Sequence, residues 1–141
     1  MDRRTFIQKS STLFLHSCMI GGSLLAFSGC KVVYLQAKSE EGTKLVLDKA
    51  KVDEEKFVVV RAKNTGAPLY VHQAKENQYI ALLMVCTHKG CEVEPKGKKL
   101  ICPCHGGEFS NTGKVLVAPP KSDLKRFPVK IEANELHIDL R

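Results

Sequence analysis

Two short segments near the middle of the chain combine cysteine and histidine at spacings that suit a metal site. The first box reads Cys-Thr-His-Lys-Gly-Cys over 86–91, and the second box reads Cys-Pro-Cys-His-Gly over 102–106. Each box offers one cysteine and one histidine close together, as Cys-x-His in the first and Cys-x-x-His in the second. Two thiolates and two imidazoles are donors that transition metals prefer in proteins. The boxes therefore predict a metal centre built from both segments.

Three kinds of site are compatible with these residue types. Structural zinc sites usually take paired thiolates from one hook and paired histidines from another, whereas each box here mixes the two. In an iron-sulfur centre, a mixed set places the thiolates on one iron and the imidazoles on the other. A disulfide scaffold in an exported protein would explain the cysteines but would leave His88 and His105 without a role. The mixed boxes favour the two-iron centre, with zinc and the scaffold as alternatives.

The boxes resemble those of Rieske proteins, in particular the disulfide-containing type of cytochrome bc and b6f complexes. This resemblance implies a 2Fe-2S cluster with two thiolates on one iron and two imidazoles on the other, from Cys86, Cys102, His88 and His105. It also implies that the remaining cysteines of the boxes, Cys91 and Cys104, form a disulfide that joins them.

The resemblance extends from about residue 79 to the C-terminus. Residues 118–124 resemble the proline-rich loop that covers the cluster in this family, with Pro119 inside it. Gly90 and Gly107 flank the ligands, where the backbone must approach the cluster closely or adopt positive φ. Phe109 follows shortly after the second box and belongs to the same environment.

Two positions depart from the respiratory members of the family. Those members carry a serine where this chain has Gly107 and a tyrosine where it has Phe109. By the resemblance, these hydroxyls donate hydrogen bonds to cluster sulfurs, which is one of the factors that set a Rieske potential. We therefore expect a potential clearly below the top of the roughly −150 to +300 mV Rieske range, and an increase on restoring both hydroxyls.

Lys89 is a third departure, because respiratory members usually carry leucine between the ligand histidine and the glycine. A lysine there places a hydrated cation beside the exit route for electrons. This charge points to an acidic redox partner more than to an apolar quinol pocket.

The N-terminus resembles an export signal. Residues 2–9, which include Arg3 and Arg4, resemble a twin-arginine signal, and residues 13–27 form a mostly apolar run. This run is shorter than the roughly 20 apolar residues that span a bilayer, so it is typical of a signal region. Residues 27–30 resemble a lipobox, in which Cys30 would be acylated. An uncleaved membrane anchor over 1–29 is the alternative, and either outcome places the domain on the outer face of the membrane.

The rest of the chain shows strand-like segments separated by turn signals. They cover residues 44–47, 57–61, 69–72, 79–85, 99–102, 127–131 and 136–140. No long stretch has helical periodicity, so the sequence predicts an all-β fold, a small antiparallel β sandwich or barrel with two cluster-binding loops. We expect an export segment or anchor over 1–29, a tether over 30–43 and the folded domain over 44–141.

The composition of the chain argues against one class of function, nucleic-acid binding. The 141 residues contain 22 lysines and arginines against 15 acidic residues, giving a net charge of +7, but no arginine stripe with interleaved aromatics, so nucleic-acid binding is not expected. No substrate site is evident beyond the boxes.

The sequence therefore predicts a membrane-tethered electron carrier, the iron-sulfur subunit of a quinol-oxidising or other respiratory complex. The expected partner is a cytochrome b or c or the large subunit of an oxidoreductase. The alternatives are a small subunit of an exported oxidoreductase of the arsenite-oxidase type and a zinc-binding module.

Overall fold

The computed structural model describes residues 32–141, which form three small sheets and one short helix. The strands are β1 (Tyr34–Leu35), β2 (Ser39–Glu41), β3 (Lys44–Asp48), β4 (Val58–Val60), β5 (Leu69–Lys75), β6 (Gln78–Leu83), β7 (Glu94–Lys96), β8 (Lys99–Ile101), β9 (Glu108–Ser110), β10 (Val115–Val117), β11 (Arg126–Phe127), β12 (Val129–Glu132) and β13 (Glu135–Asp139). The helix α1 (Lys49–Asp53) follows β3. All pairings are antiparallel except that of β1 with β4, which confirms the all-β prediction.

A central sheet with the order β1-β4-β5-β6-β11 is covered on both faces. Successive side chains of a strand point to opposite faces, and in β4 all three valines are buried. Val58 and Val60 belong to one buried cluster, whereas Val59 belongs to the other. A strand that is apolar at every position is the pattern expected when both faces of a sheet are buried.

Each face of the central sheet packs against a smaller sheet. On one face lies the sheet with the order β12-β13-β3-β2, whose buried residues alternate, as at Leu45 and Leu47. On the other face lies the sheet with the order β10-β9-β8-β7, which carries Leu100 and Phe109 into the second cluster. We call the latter the box sheet, because the second box connects β8 to β9.

The predicted strands are present, with one informative difference. The segment predicted over 127–131 is divided at Pro128 into β11 and β12. Phe127 pairs with Ala81 in the central sheet, whereas Val129 pairs with Ile138 in the sheet with the order β12-β13-β3-β2. The chain therefore crosses from one layer to another at the proline, where no backbone N–H is available for a ladder.

The segment before residue 44 also differs from the expected tether. β1 pairs with β4, and β2 pairs with β3, so residues 34–41 extend two of the sheets. Backbone groups make these contacts, as in the bond from the N–H of Val59 to the carbonyl of Val33 at 2.8 Å. Strands of two and three residues give little periodic signal in a sequence. The expected export segment over 1–29 and Cys30 lie outside the described residues. Among residues 32–141, no helix has the length and apolar character needed to cross a membrane.

His72 is a buried histidine in β5. Its side chain is 4% exposed, and Nε2 lies 2.9 Å from the carbonyl oxygen of Asn111 in the turn that connects β9 to β10. This bond joins the central sheet to the box sheet. Burial lowers the pKa of His72, and the positive charge of Arg126 lowers it further. The hydrogen bonds to the backbone carbonyls of Asn111 and Gln73 raise the pKa but do not offset this effect.

A lowered histidine pKa makes stability depend on pH. In the unfolded chain His72 binds a proton at about pH 6.5, whereas in the folded chain it binds one only at lower pH. The neutral, buried His72 therefore makes its full contribution to the free energy of unfolding above about pH 6.5. This contribution is lost as the pH falls from there toward the pKa of the folded state. We expect the free energy of unfolding of His72→Phe to fall less than that of the unsubstituted protein between about pH 7.5 and pH 5.5. Denaturant titrations measure both, with His137→Phe as the control at a half-buried histidine. Parallel pH curves for His72→Phe and the unsubstituted protein would contradict the assignment.

Candidate metal centre

The first box forms a tight turn directly after the central sheet. The N–H of Cys86 donates to the carbonyl of Cys91 at 2.8 Å, and the N–H of Gly90 donates back to the carbonyl of Cys86 at 2.9 Å. Gly90 has φ +78°, a left-handed conformation that glycine adopts without steric cost. A bridge between Val85 and Glu92 closes the base of the turn. The turn therefore projects residues 87–90 from a rigid base.

The second box repeats this geometry at the end of β8. The N–H of Cys102 donates to the carbonyl of Gly107 at 2.8 Å, and the N–H of Gly106 donates to the carbonyl of Cys102 at 3.0 Å. Gly106 has φ +70°, at the position that corresponds to the positive-φ glycine of the first box. Both boxes therefore present a cysteine at the base of a turn and a histidine near its tip.

The two cysteines at the bases lie together in the core. Cys86 is 2% exposed and Cys102 is 1% exposed, and both belong to the same buried cluster of side chains. Burial raises the pKa of the Cys86 thiol, while the backbone N–H groups of His88 and Lys89 favour the thiolate and act in the opposite direction. These N–H groups are directed at the sulfur and would stabilise negative charge on it.

The two histidines lie side by side nearer the surface. Their ring centroids are 4.9 Å apart, in an edge-to-face arrangement. His88 is half-buried and His105 is exposed. Within residues 32–141, Nδ1 of His88 is the single buried side-chain nitrogen or oxygen atom with no hydrogen-bond partner. Buried polar atoms are rarely left unpaired, and coordination by a metal would satisfy this one.

These donors fit the cluster that the boxes predict. The predicted thiolate pair is buried on one side and the predicted imidazole pair lies on the other, which is the segregation that a cluster with sulfur on one iron and nitrogen on the other requires. Cys91 and Cys104 are joined by a disulfide, with their Cα atoms 6.6 Å apart. This bond links the two turns covalently, as the resemblance implies.

The proline-rich loop is held against the first box and against the start of β10 by polar contacts that the sequence did not predict. The Thr87 hydroxyl donates to the carbonyl of Ser122 at 2.6 Å. The Asp123 carboxylate accepts from the backbone N–H of Val115 at 3.0 Å and from the Lys114 ammonium at 2.6 Å. The hydrogen bond from Lys114 is the main cause that lowers the pKa of Asp123. None of these three contacts has a sequence signature, because each joins residues that only the fold brings together.

The cluster-environment residues have distinct positions. Lys89 and Gly90 are exposed at the tip of the first turn, and Pro119 is half-buried in the proline-rich loop. Gly107 is buried, and a Cβ atom built there would lie 2.6 Å from Cδ and 2.7 Å from Cγ of Pro120. Glycine at 107 is therefore required by the packing of the Pro120 ring. A serine at this position would have to displace the ring before its hydroxyl could affect the potential.

Phe109 is fully buried in β9, in the same cluster of side chains as Cys86 and Cys102. Its ring has no hydroxyl, so it packs there without offering a hydrogen bond. Tyrosine adds that hydroxyl with little change in shape.

We expect Phe109→Tyr alone to raise the reduction potential. One net hydrogen bond contributes about 1 kcal/mol, which corresponds to about 40 mV for a one-electron couple. Protein-film voltammetry measures the shift, and Phe57→Tyr, at the half-buried Phe57 stacked on Tyr70, is the matched control. An unchanged or lower potential in Phe109→Tyr would contradict this prediction.

A protein family, several curated proteins and several solved structures resemble part of this chain. The family model for the Rieske [2Fe-2S] domain matches residues 33–128. Among curated proteins, the cytochrome b6-f complex iron-sulfur subunit of Chlorobaculum tepidum is 34% identical over 62 residues, 43% of this chain and 34% of the relative. The corresponding subunit of Trichodesmium erythraeum is 39% identical over 75 residues, 50% of this chain and 42% of the relative. The chain thus covers less than half the length of these two relatives.

Two solved structures share the fold at comparable identity. The plasma membrane Rieske protein PetC3 from Synechocystis PCC 6803 has a TM-score of 0.56 and 31% identity, covering 64% of this chain and 92% of that chain. A chain of a hyperthermophilic respiratory Complex III has a TM-score of 0.53 and 29% identity, covering 84% of this chain and 81% of that chain. Because the family model matches more than half of the sequence and includes both boxes, this chain belongs to the Rieske [2Fe-2S] domain family and is an iron-sulfur protein.

Proposed function

We propose that this protein transfers electrons through a Rieske cluster held by Cys86 and Cys102 on one iron and His88 and His105 on the other. The observation that carries the proposal is the fold of the two boxes into one site, with both sulfurs buried and both imidazoles nearer the surface. When bound, a [2Fe-2S] cluster takes up and releases one electron, and neutral imidazole ligands raise its potential relative to an all-thiolate cluster.

The residues around the site have separate tasks in this proposal. The buried cysteines keep water away from the sulfur side, and the N–H groups directed at Cys86 stabilise its negative charge. His105 is exposed, so its imidazole is where a partner comes closest to the site. The proline-rich loop, fastened through Thr87 and Asp123, shields the remaining face.

Electron paramagnetic resonance of the dithionite-reduced protein tests this function. We expect the low mean g value of a histidine-ligated 2Fe-2S cluster, together with iron and acid-labile sulfide in equal amounts. A colourless protein that remains free of iron after anaerobic reconstitution, or one that binds zinc in its place, would overturn the proposal and favour the zinc-binding alternative.

We further propose that the protein works at the outer face of a membrane with a cytochrome-containing complex. Two observations support this setting: the relatives above are iron-sulfur subunits of cytochrome b6-f complexes, and PetC3 is a plasma membrane protein. Acylated Cys30 or a retained segment over 1–29 would supply the tether. The intact mass of the membrane-purified protein separates the two, and recovery of the full chain from the soluble cytoplasmic fraction would contradict both.

One observation favours the small subunit of an exported oxidoreductase as a second candidate. Lys89 is exposed at the tip of the first turn, beside the ligand His88. A quinol-binding pocket is apolar, and burying an ammonium group without a partner is costly. An acidic surface on a partner protein would instead pair with this lysine.

We expect Lys89→Glu to slow electron transfer to an anionic oxidant. With ferricyanide as the probe, the oxidation rate of the reduced protein should fall several-fold at low ionic strength, and the difference should shrink as salt screens the charge. Lys51→Glu, on the exposed side of α1, changes the net charge equally and serves as the control. If both substitutions slowed oxidation by ferricyanide equally, Lys89 would not lie closer than Lys51 to the point where electrons leave the protein.

A further inference from the structure

Three sulfur atoms of the two boxes form a compact group. The Sγ atoms of Cys91, Cys102 and Cys104 all lie within 4.8 Å of one another. Cys91 and Cys104 are joined by the disulfide, whereas Cys102 is a free cysteine that is 1% exposed. A free thiol therefore lies beside a disulfide, in a site where the proposed function requires the thiol to bind iron.

The backbone of the turns holds this arrangement. In the second box, the bonds between Cys102 and residues 106 and 107 fix the base of the turn that also carries Cys104. In the first box, the hydrogen bond from the N–H of Cys86 to the carbonyl of Cys91 places Cys91 at the base of that turn. The closeness of the three sulfurs thus follows from the two matched turns.

A thiolate next to a disulfide can exchange with it. The attacking sulfur forms a new bond to one sulfur of the disulfide and displaces the other as a thiolate. Iron coordination would occupy the Cys102 sulfur and prevent this attack. Without iron on its sulfur, Cys102 lies within 4.8 Å of both sulfurs of the bond.

We propose that the cluster-free protein isomerises its disulfide, with Cys102 replacing Cys104 as the partner of Cys91. Cys102 gives up one proton, and its sulfur attacks Sγ of Cys91. The bond between Cys91 and Cys104 breaks as the bond between Cys91 and Cys102 forms, and Cys104 leaves as a thiolate that takes up a proton. One disulfide and one thiol are present before and after, so no oxidant or reductant is needed. Cys104 is exposed, so the displaced thiol faces solvent.

The exchange has a consequence for cluster assembly, and this step rests on the proposed ligand role of Cys102. In the isomerised chain, the Cys102 sulfur is bound covalently to Cys91 and cannot bind iron. A bound cluster thus preserves the disulfide that links its own loops, and a chain that has lost its cluster and isomerised can take up a new cluster only after the native bond has formed again. The geometry assigns Cys102 as the residue through which both states interconvert.

The experiment follows the position of a single free thiol. The full chain carries Cys18→Ser and Cys30→Ser in all samples, and the test variant adds Cys86→Ser, so that Cys102 is the one free cysteine when the native disulfide is intact. After treatment with an iron chelator and anaerobic incubation, the protein is quenched in acid with N-ethylmaleimide, and tandem mass spectrometry locates the label. We expect the label to move from Cys102 to Cys104 with time. A label that stays on Cys102 at all times would overturn the proposal.

A matched variant separates this exchange from general disulfide scrambling. Cys102→Ser, in the same background, leaves Cys86 as the one free thiol, and Cys86 lies outside the group of three sulfurs. We expect its label to remain on Cys86. Equal movement of label onto Cys91 or Cys104 in this variant, or a rate that rises with protein concentration, would overturn the assignment to Cys102.

The chain with all four box cysteines provides a second measurement if a variant fails to fold. Disulfide mapping of the cluster-loaded protein should find the native bond alone, and mapping after chelation should find Cys102 in a disulfide. An unchanged bond after chelation would contradict the exchange. The single-thiol variant needs no cluster, so it reports on disulfide pairing alone. Electron paramagnetic resonance of the unsubstituted protein tests the electron-transfer function independently.

Discussion

A His88→Gln variant is expected to purify without its cluster. Nδ1 of His88 is buried and has no hydrogen-bond partner within residues 32–141, and the proposed function makes His88 a ligand of iron. Glutamine keeps a polar side chain of similar length but offers no imidazole nitrogen. Loss of an outer partner of a metal ligand already costs about 10- to 100-fold in affinity or activity, and loss of the ligand itself should cost at least as much. Iron content per chain and the spectrum of the reduced protein measure the effect.

His137→Gln is the matched control for this prediction. His137 lies in β13, half-buried, with Nε2 3.4 Å from a carboxylate oxygen of Glu135, away from both boxes. This variant should retain its full iron content. If His88→Gln also retained full iron content with an unchanged spectrum, the ligand assignment would be wrong. A circular dichroism spectrum of both variants verifies that the strands are intact.

Gly107→Ser is expected to destabilise the protein and loosen the proline-rich loop. The added Cβ would lie 2.6 Å from Cδ of Pro120, closer than two carbon atoms can approach. The backbone of Gly107 is outside the left-handed region, so the collision alone decides the outcome. Overpacking of this kind costs about 1–3 kcal/mol, and the free energy of unfolding in a denaturant titration should fall by that amount.

A second substitution separates the collision from any effect of the hydroxyl group. Pro120→Ala removes Cγ and Cδ, the two atoms that Cβ would strike, and leaves an ordinary contact of 3.6 Å to Pro119. We expect Gly107→Ser to cost far less stability in the Pro120→Ala background than in the unsubstituted protein. Equal costs in both backgrounds would refute the packing argument. Any gain in potential from the serine should likewise be measured in the double variant.

The strands were predictable to the extent that they are buried and apolar. The β4 segment contains three consecutive valines because both of its faces are covered, and its strand signal is clear without any partner. β1 and β2 were missed because they are two and three residues long and are held by backbone pairing to β4 and β3. The helix α1 has five residues, too few for a helical period to be visible in a sequence.

The chemistry of the site could be predicted from the sequence, because metal ligands must be particular residue types at particular spacings. The boxes contain every predicted donor, and their order along the chain suffices to suggest two thiolates and two imidazoles. What the sequence could not show is how Gly107 and Pro120 meet. These residues are 13 positions apart by their numbering, and no local rule links a glycine after one box to a proline ring in a later loop.

By itself, the amino-acid sequence determined the kinds of atoms available to the metal centre and the all-β character of the chain, since both depend on residue identity and local pattern. The tertiary structure alone decided that Nδ1 of His88 is left without a partner, that Thr87 and Asp123 fasten the proline-rich loop, and that the Cys102 sulfur lies beside the disulfide. Those contacts join residues from separate turns and strands. Their distances are set by how the layers pack, which no local pattern in the sequence encodes.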